Sequence, residues 1–89
     1  MADVVIYTKH FCSYCVRAKA LLAKKGVAFH EIDVSRDPAM RRWLTDVTGQ
    51  STVPQIFING QSVGGCDDLH ELDRFGELDA LLQAPSRDG

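Results

Sequence analysis

Two cysteines separated by two residues lie at the junction of a strand-like and a helix-like segment, and this junction restricts the fold more than any other feature. Residues 4–7, Val-Val-Ile-Tyr, form a continuous apolar run that is typical of a strand buried on both faces. Residues 13–25 predict a helix that ends at Gly26, and residues 27–34 predict a second strand. This order predicts a βαβ unit with parallel strands and a right-handed crossover.

Apolar spacing predicts which face of each of the first two helices is buried. In the first helix this face contains Val16, Ala20, Leu21 and Leu22. The second helix is expected to begin with Asp37 as N-cap and Pro38 as its first residue, and to end near Gly49. Its apolar stripe consists of Met40, Trp43, Leu44 and Val47.

A hairpin and a final helical segment complete the predicted elements. Residues 55–58 and 61–63 are predicted strands, and the Asn-Gly pair between them is favoured in two-residue hairpin turns. The final segment is expected to start at Asp67 and to bend near Gly76. Its apolar positions are Leu69, Leu72, Phe75, Leu78, Leu81 and Leu82.

These elements predict one α/β domain. At 89 residues the chain is long enough for a single core, which we expect over residues 1–84, with residues 85–89 as a frayed tail. The order βαβ, α, ββ, α predicts a four-stranded mixed sheet with helices on both faces.

Composition excludes several classes of protein. Hydrophobic residues make up 45% and charged residues 25%, and no apolar run approaches the roughly 20 residues that span a bilayer. A net charge of -2 disfavours nucleic-acid binding. The N-terminal segment lacks the pattern of a secretory signal, so we expect a cytoplasmic protein without a membrane role. In a reducing compartment, cysteines are more often catalytic or metal-binding than structural.

The cysteine pair is suited to redox chemistry. Cys12 lies at the predicted start of a helix, where unpaired backbone N–H groups and the helix dipole favour a thiolate. Lys9 adds positive charge nearby, and Cys15 is placed one turn further on the same face. Cys12 is therefore predicted to be the nucleophile, and Cys15 the thiol that resolves a mixed disulfide formed on Cys12.

Two alternatives assign the cysteines no redox role. Both can be small buried hydrophobic residues, or Cys66 and His70 can join them in a zinc site with three cysteines and one histidine. The two pairs are 50 residues apart, whereas a compact zinc ribbon separates its pairs by roughly 15 to 20. We interpret the three histidines as surface or packing residues; they are His10, His30 and His70.

Two further segments are suited to binding a peptide-like ligand. Sequence does not show the isomer of the peptide bond before Pro54; in the cis form it would expose the backbone of Val53 for pairing with an extended peptide. Residues 64–68, Gly-Gly-Cys-Asp-Asp, lead into a helix whose free N–H groups can bind a carboxylate. Asp67 is predicted to cap this helix and at the same time to hold an amine; the alternative is a plain capped helix start.

Four segments together resemble the dithiol glutaredoxins, in particular the small bacterial glutaredoxin 3 type. They are Tyr7-Thr8-Lys9, Cys12-Ser13-Tyr14-Cys15, Thr52-Val53-Pro54 and Gly64-Gly65-Cys66-Asp67-Asp68. The resemblance extends over residues 4–82. It implies the thioredoxin fold, and glutathione as the reductant and co-substrate.

The resemblance also implies a role for each site residue. Cys12 is the nucleophile and Cys15 the resolving thiol, Val53 pairs with the cysteine of glutathione, Pro54 is cis, and Tyr14 flanks the groove. Lys9 and Arg41 contact the glycine carboxylate of glutathione. The γ-glutamyl end is held by Thr52, by the N–H groups of Cys66 and Asp67, and by the Asp67 carboxylate.

The implied activity is reduction of protein–glutathione mixed disulfides and of protein disulfides by a monomeric enzyme, with ribonucleotide reductase as one candidate target. The alternative is a [2Fe–2S] cluster carrier, in which Cys12 of two subunits and two glutathiones are the ligands. Ser13, where proline is common, leaves the backbone freer and supplies an N–H near the thiolates. A further alternative makes Cys66 a site of regulatory disulfide formation or glutathionylation.

Overall fold

A computed structural model describes residues 2–85 of the chain. Its elements are β1 (Val4–Thr8), α1 (Ser13–Lys24), β2 (His30–Asp33), α2 (Pro38–Thr48), β3 (Gln55–Ile58), β4 (Gln61–Gly64), α3 (Cys66–Arg74) and α4 (Glu77–Gln83). The predicted order of strands and helices is confirmed. Ser86–Gly89, most of the predicted tail, lie outside the described residues, and the carbonyl of Pro85 accepts a hydrogen bond from Asn59 Nδ2 at 3.2 Å.

The strands form one mixed sheet in the order β2-β1-β3-β4. Strand β1 is parallel to β2 and antiparallel to β3, and its Tyr7 is opposite Ile32 on one side and Gln55 on the other. Strands β3 and β4 form the predicted antiparallel hairpin. The four-stranded mixed sheet is thereby confirmed.

The second strand is shorter than predicted. Residues 27–29 are not part of β2, whose pairing with β1 begins at Val5 and His30. Val27 and Phe29 instead pack their side chains against a core cluster. An apolar sequence was sufficient for burial here, but strand formation also required a partner strand.

Helix α1 faces the core with a different set of residues from the one predicted. Val16 and Ala20 are exposed, whereas Cys15 and Ala18 are buried together with Leu21 and Leu22. Positions 15, 18 and 22 follow helical spacing. The prediction was wrong because the small residues Cys15 and Ala18 gave a weaker apolar signal than Val16.

Helix α2 has the predicted ends. Asp37 Oδ1 accepts a hydrogen bond from the Met40 N–H at 3.0 Å, and Gly49 ends the helix with a φ of 73°. In the predicted stripe Leu44 is buried and Met40 half-buried, while two members are exposed; they are Trp43 and Val47. A single helix covers this face of the sheet, so the outer part of its stripe has little to pack against.

The final helical segment is two helices rather than one bent helix. Gly76, with a φ of 76°, separates α3 from α4. Leu69, Leu78 and Leu82 are buried as predicted, but Phe75 is exposed because it lies at the break. Lys25, at the end of α1, forms ion pairs with Asp73 of α3 and Asp79 of α4.

The two faces of the sheet carry separate core clusters. The first core cluster lies beneath α1, α3 and α4, and consists of Val4, Ile6, Ala18, Leu21, Leu22, Ile56, Ile58, Cys66, Leu69, Leu78 and Leu82. The second core cluster lies beneath α2 and has three buried members, namely Tyr7, Val34 and Leu44. Helices thus cover both faces, as predicted. Within residues 2–85, no helix is long and apolar enough to cross a membrane.

Candidate active site

The two cysteines of the Cys-x-x-Cys segment lie where β1 leads into α1. Cys12 is the N-cap of α1, and the N–H of Cys15 donates a hydrogen bond to Cys12 Sγ at 3.1 Å. The structure holds the two residues as a disulfide with Cα atoms 5.2 Å apart. When the pair is reduced, the same N–H and the positive end of the helix dipole stabilise negative charge on the Cys12 sulfur.

The two sulfurs differ in their access to solvent. Cys15 is 2% exposed, because it lies on the buried face of α1, whereas Cys12 is half-buried at the surface. An incoming disulfide therefore reaches Cys12 first. Cys12 Sγ also lies 3.9 Å from the carbonyl oxygen of Val53, which brings the cysteine loop against the segment before β3.

Two concave surfaces beside Val53 join into one groove, which we call the main groove. One has a volume of about 330 Å³ and is lined by Tyr14, Gln50, Thr52, Val53, Pro54, Gly65, Cys66, Asp67 and Asp68. The other has a volume of about 190 Å³ and is lined by Lys9, Val34, Arg41, Leu44, Gln50, Ser51, Thr52 and Val53. Three lining residues are common to both, namely Gln50, Thr52 and Val53.

Both ends of the main groove can attract a carboxylate, but through different groups. Lys9 and Arg41, both exposed, place two cations at one end. At the other end, Cys66 and Asp67 begin α3, where the first backbone N–H groups of a helix have no partner within the helix. A ligand with a carboxylate at each end suits this arrangement.

Asp67 does not cap helix α3. Gly65 is the N-cap, and its N–H donates to Asp68 Oδ2 at 3.0 Å. The prediction of a cap at Asp67 was wrong because the neighbouring carboxylate reaches back to this N–H. The Asp67 side chain is exposed at the groove, so its charge is available to a ligand amine.

The floor of the main groove is tied to β3 by a buried glutamine. Gln55 is fully buried, and its Nε2 donates to Gln50 Oε1 and to the Thr52 carbonyl, each at 3.0 Å. The adjoining Val53–Pro54 peptide bond is cis, as the resemblance implied. Gln55 thus positions the backbone that lines the groove.

Comparison with known proteins decides the family. The glutaredoxin family model matches residues 4–63. The chain is 54% identical to glutaredoxin 3 of Escherichia coli, over 93% of this chain and all of that protein. The chain belongs to the glutaredoxin family. It is a dithiol glutaredoxin with a Cys-x-x-Cys active site, and therefore a glutathione-dependent thiol–disulfide oxidoreductase.

Solved glutaredoxin structures confirm the thioredoxin-like fold. A glutaredoxin from Brucella melitensis superimposes with a TM-score of 0.85 at 54% identity, covering 93% of this chain and 90% of that one. The buckwheat glutaredoxin–glutathione complex superimposes with a TM-score of 0.86 at 36% identity, covering 91% of this chain and 76% of that one. Glutathione is bound in that buckwheat protein.

The zinc alternative does not fit this glutaredoxin. Within residues 2–85, no three histidine, cysteine, aspartate or glutamate side chains are placed to share a metal ion. Cys66 and His70, although one turn apart on α3, are therefore not gathered with Cys12 and Cys15.

The structure disfavours the alternative in which Cys66 is a modification site. Its side chain is 4% exposed within the first core cluster. Burial raises the pKa of the Cys66 thiol, and Asp67 raises it further while Arg17 opposes the shift. A buried and protonated thiol is a poor nucleophile.

Sequence reasoning missed several residues at the site. Gln50 and Ser51 line the main groove but were not predicted to do so. Gly65 and Asp68 also line it; they belong to the predicted segment 64–68, but neither was assigned a contact of its own. The available signal for Gln50 and Ser51 was their position in the loop before the predicted Thr52. The role of His10 was also missed: its Nε2 pairs with Asp33 Oδ2 at 2.7 Å and its N–H donates to Ser35 Oγ at 2.7 Å, which anchors the cysteine loop to the end of β2.

Proposed function

We propose that glutathione binds along the main groove with its sulfur next to Cys12. The observation that carries this proposal is the continuity of the groove, because it brings all eight predicted glutathione contacts beside one accessible cysteine. They are Lys9, Tyr14, Arg41, Thr52, Val53, Pro54, Cys66 and Asp67. The glycine carboxylate faces the cations Lys9 and Arg41. The γ-glutamyl carboxylate faces the start of α3, and the amine faces Asp67.

In the monothiol mode, the Cys12 thiolate attacks the glutathionyl sulfur of a protein–glutathione mixed disulfide. The protein–glutathione S–S bond breaks, a Cys12–glutathione disulfide forms, and the protein thiolate leaves and takes up a proton from solvent. A second glutathione thiolate then attacks the glutathionyl sulfur on Cys12. Oxidised glutathione leaves, and the Cys12 thiolate is restored.

In the dithiol mode, Cys12 attacks one sulfur of a protein disulfide and releases the other as a thiolate. The Cys15 thiolate then attacks Cys12 Sγ, which releases the second protein thiol and leaves the Cys12–Cys15 disulfide present in this structure. Two glutathiones reduce that disulfide and are oxidised to glutathione disulfide. This mode requires Cys15, whereas the monothiol mode does not.

Three serine variants test these assignments. Cys12→Ser is expected to abolish turnover of every substrate, and Cys15→Ser to retain turnover of glutathionylated substrates while losing reduction of protein disulfides. Cys66→Ser is the matched control: the proposed contact of Cys66 with glutathione is made by its backbone N–H and its thiol is buried, so this variant is expected to retain both activities. Substantial activity in Cys12→Ser would falsify the assignment of the nucleophile.

A [2Fe–2S] cluster shared by two subunits stays a prediction of the resemblance. Within residues 2–85 no cluster of metal-ligating side chains is present, so the chain supplies one accessible ligand, Cys12, and the others must come from a second subunit and from glutathione. Anaerobic reconstitution with iron, sulfide and glutathione tests this form. A coloured dimer on gel filtration supports it, and a colourless monomer rules it out.

We propose the cytoplasm as the site of action and a monomer as the working form, because the reaction consumes reduced glutathione and one chain contains both cysteines and the whole groove. Glutathionylated proteins and protein disulfides are the proposed targets, with ribonucleotide reductase among them. Activity assays with glutathionylated protein and with oxidised ribonucleotide reductase test these targets separately.

A further inference from the structure

Exposed apolar side chains are concentrated around the nucleophile. Among residues 2–85, six large hydrophobic side chains are exposed, and three of them, Phe11, Tyr14 and Val16, fall within six consecutive positions that include Cys12. We call these three the apolar rim. Exposed apolar groups gathered in one place commonly mark an interaction surface.

The outward position of Phe11 is imposed by the loop that carries it. Phe11 is fully exposed and has a φ of 55°, which a bulky residue rarely adopts. The preceding residue, His10, is fixed by its contacts to Asp33 and Ser35, and Asp33 also accepts a hydrogen bond from the Ser35 N–H at 2.8 Å. A backbone conformation of this kind persists only where the surrounding structure determines it.

A second concave surface, of about 480 Å³, adjoins the apolar rim and shares only Lys9 with the main groove. Its apolar walls are Phe11 and Val16, and both cysteines line it. Its carboxylates are already paired. Glu31 accepts hydrogen bonds from Thr8 and Lys19, and Asp33 pairs with His10. Apart from Lys9, whose charge also faces the main groove, the charged side chains of this surface are paired with one another, and the rest of it offers apolar contact.

We propose that the apolar rim and this second concave surface bind the polypeptide of a protein substrate, taking an apolar side chain that flanks its oxidised cysteine. The proposal rests on the proposed function and adds a substrate preference to it. Continuity with the main groove supports this occupant. Tyr14 belongs to the rim and to the groove, and Cys12 lines the second concave surface with its Sγ 3.9 Å from the carbonyl oxygen of Val53 in the groove. The main groove holds the glutathionyl part of a mixed disulfide, and the rim contacts the part that leaves.

The test compares kcat/KM for three glutathionylated substrates. They are glutathionylated free cysteine, a glutathionylated decapeptide with leucine on both sides of its cysteine, and the same decapeptide with serine in place of both leucines. The wild-type protein is expected to favour the leucine peptide over the serine peptide. Phe11→Ala removes a contact of about 50 Å² and is expected to lower kcat/KM for the leucine peptide roughly eightfold, leaving glutathionylated cysteine unchanged.

Matched variants separate this contact from general effects. Phe75→Ala truncates another exposed phenylalanine, at the opposite end of α3 from the groove, and is expected to leave all three substrates unchanged. Val16→Ser is also expected to lower kcat/KM for the leucine peptide, whereas Phe11→Leu is expected to keep most of the wild-type value. Equal effects of Phe11→Ala on both peptides, or none on either, overturn the proposal. Absence of turnover of glutathionylated cysteine by the wild-type protein would instead count against the proposed function.

Discussion

The two faces of the sheet are covered to different extents. Three helices close the first core cluster, whose members include the fully buried Leu78 of α4. One helix covers the second core cluster, where Leu44 is buried but Trp43 remains exposed. Leu44 and Arg41 of that single helix also line the main groove. The well-covered face holds the larger core cluster, while the sparsely covered face leaves space that forms one part of the main groove.

The largest expected effect tests the well-covered face. Leu78→Ala removes a fully buried side chain that does not line the main groove, and is expected to lower the free energy of unfolding by about 3 to 4 kcal/mol. The KM for glutathione of the folded variant is expected to equal that of wild type. Urea unfolding and steady-state kinetics measure the two quantities. A raised KM would show that the two faces are not separate in function.

The next effect tests the sparsely covered face. Leu44→Ala is expected to lower the free energy of unfolding by about 2 to 3 kcal/mol, because the surroundings of Leu44 are less closed than those of Leu78. The KM for glutathione is expected to rise, since Leu44 supports the wall between α2 and the groove. The same two measurements apply. An unchanged KM would show that packing in the second core cluster does not affect the main groove.

A smaller effect is expected for Gln55, whose hydrogen bonds hold the floor of the main groove. Gln55→Leu keeps the position filled but removes the hydrogen bonds to Gln50 and Thr52, and is expected to cost about 1 to 2 kcal/mol of stability. The KM for glutathione is expected to rise severalfold while kcat changes little. Gln50→Ala, which removes one of the two bonds, should show the same change to a lesser degree. A change confined to stability would show that Gln55 does not position the groove.

The smallest effect concerns the polar edge of the sheet at β2. A hydrogen bond from Thr8, and then one from Lys19, lower the pKa of Glu31; hydrogen bonds from Ser35, assisted by the charge of His10, lower the pKa of Asp33. Both carboxylates therefore stabilise the fold above the unfolded pKa of about 4, and this contribution is lost as pH falls through the lower folded values. As pH is lowered from 6 to 3, the midpoint temperature of thermal unfolding should fall less steeply in Asp33→Asn than in wild type. Equal slopes would contradict the prediction.

Much of the fold was predictable because its signals are local. The caps of α2 and the hairpin turn each depend on residue types whose backbone preferences are strong. The buried face of α1 was not predictable in the same way, because Cys15 and Ala18 are too small to dominate an apolar pattern. Phe75 shows the converse, since a large apolar residue at a helix break need not be buried.

The candidate site was predictable for a different reason. The redox pair followed from the chemistry of a helix start, but most groove contacts came from the resemblance to glutaredoxins. Spacing alone does not bring Arg41 near Val53 or Cys66, because these residues lie on separate elements that meet only in the folded chain. The choice between Asp67 and Asp68 as partner of the Gly65 N–H depends on side-chain reach, which adjacent aspartates do not reveal in sequence.

Gly65 sets how closely the two walls of the main groove approach each other. A β-carbon at this position would lie 3.2 Å from the carbonyl oxygen of Pro54, tighter than most such contacts. The wall that begins α3 and the wall that precedes β3 therefore meet main chain to main chain, with no side chain between them. The width of the groove at this point thus depends on the absence of a β-carbon at Gly65. A substitution at Gly65 is therefore expected to change this width while leaving the eight proposed glutathione contacts in place as residue types.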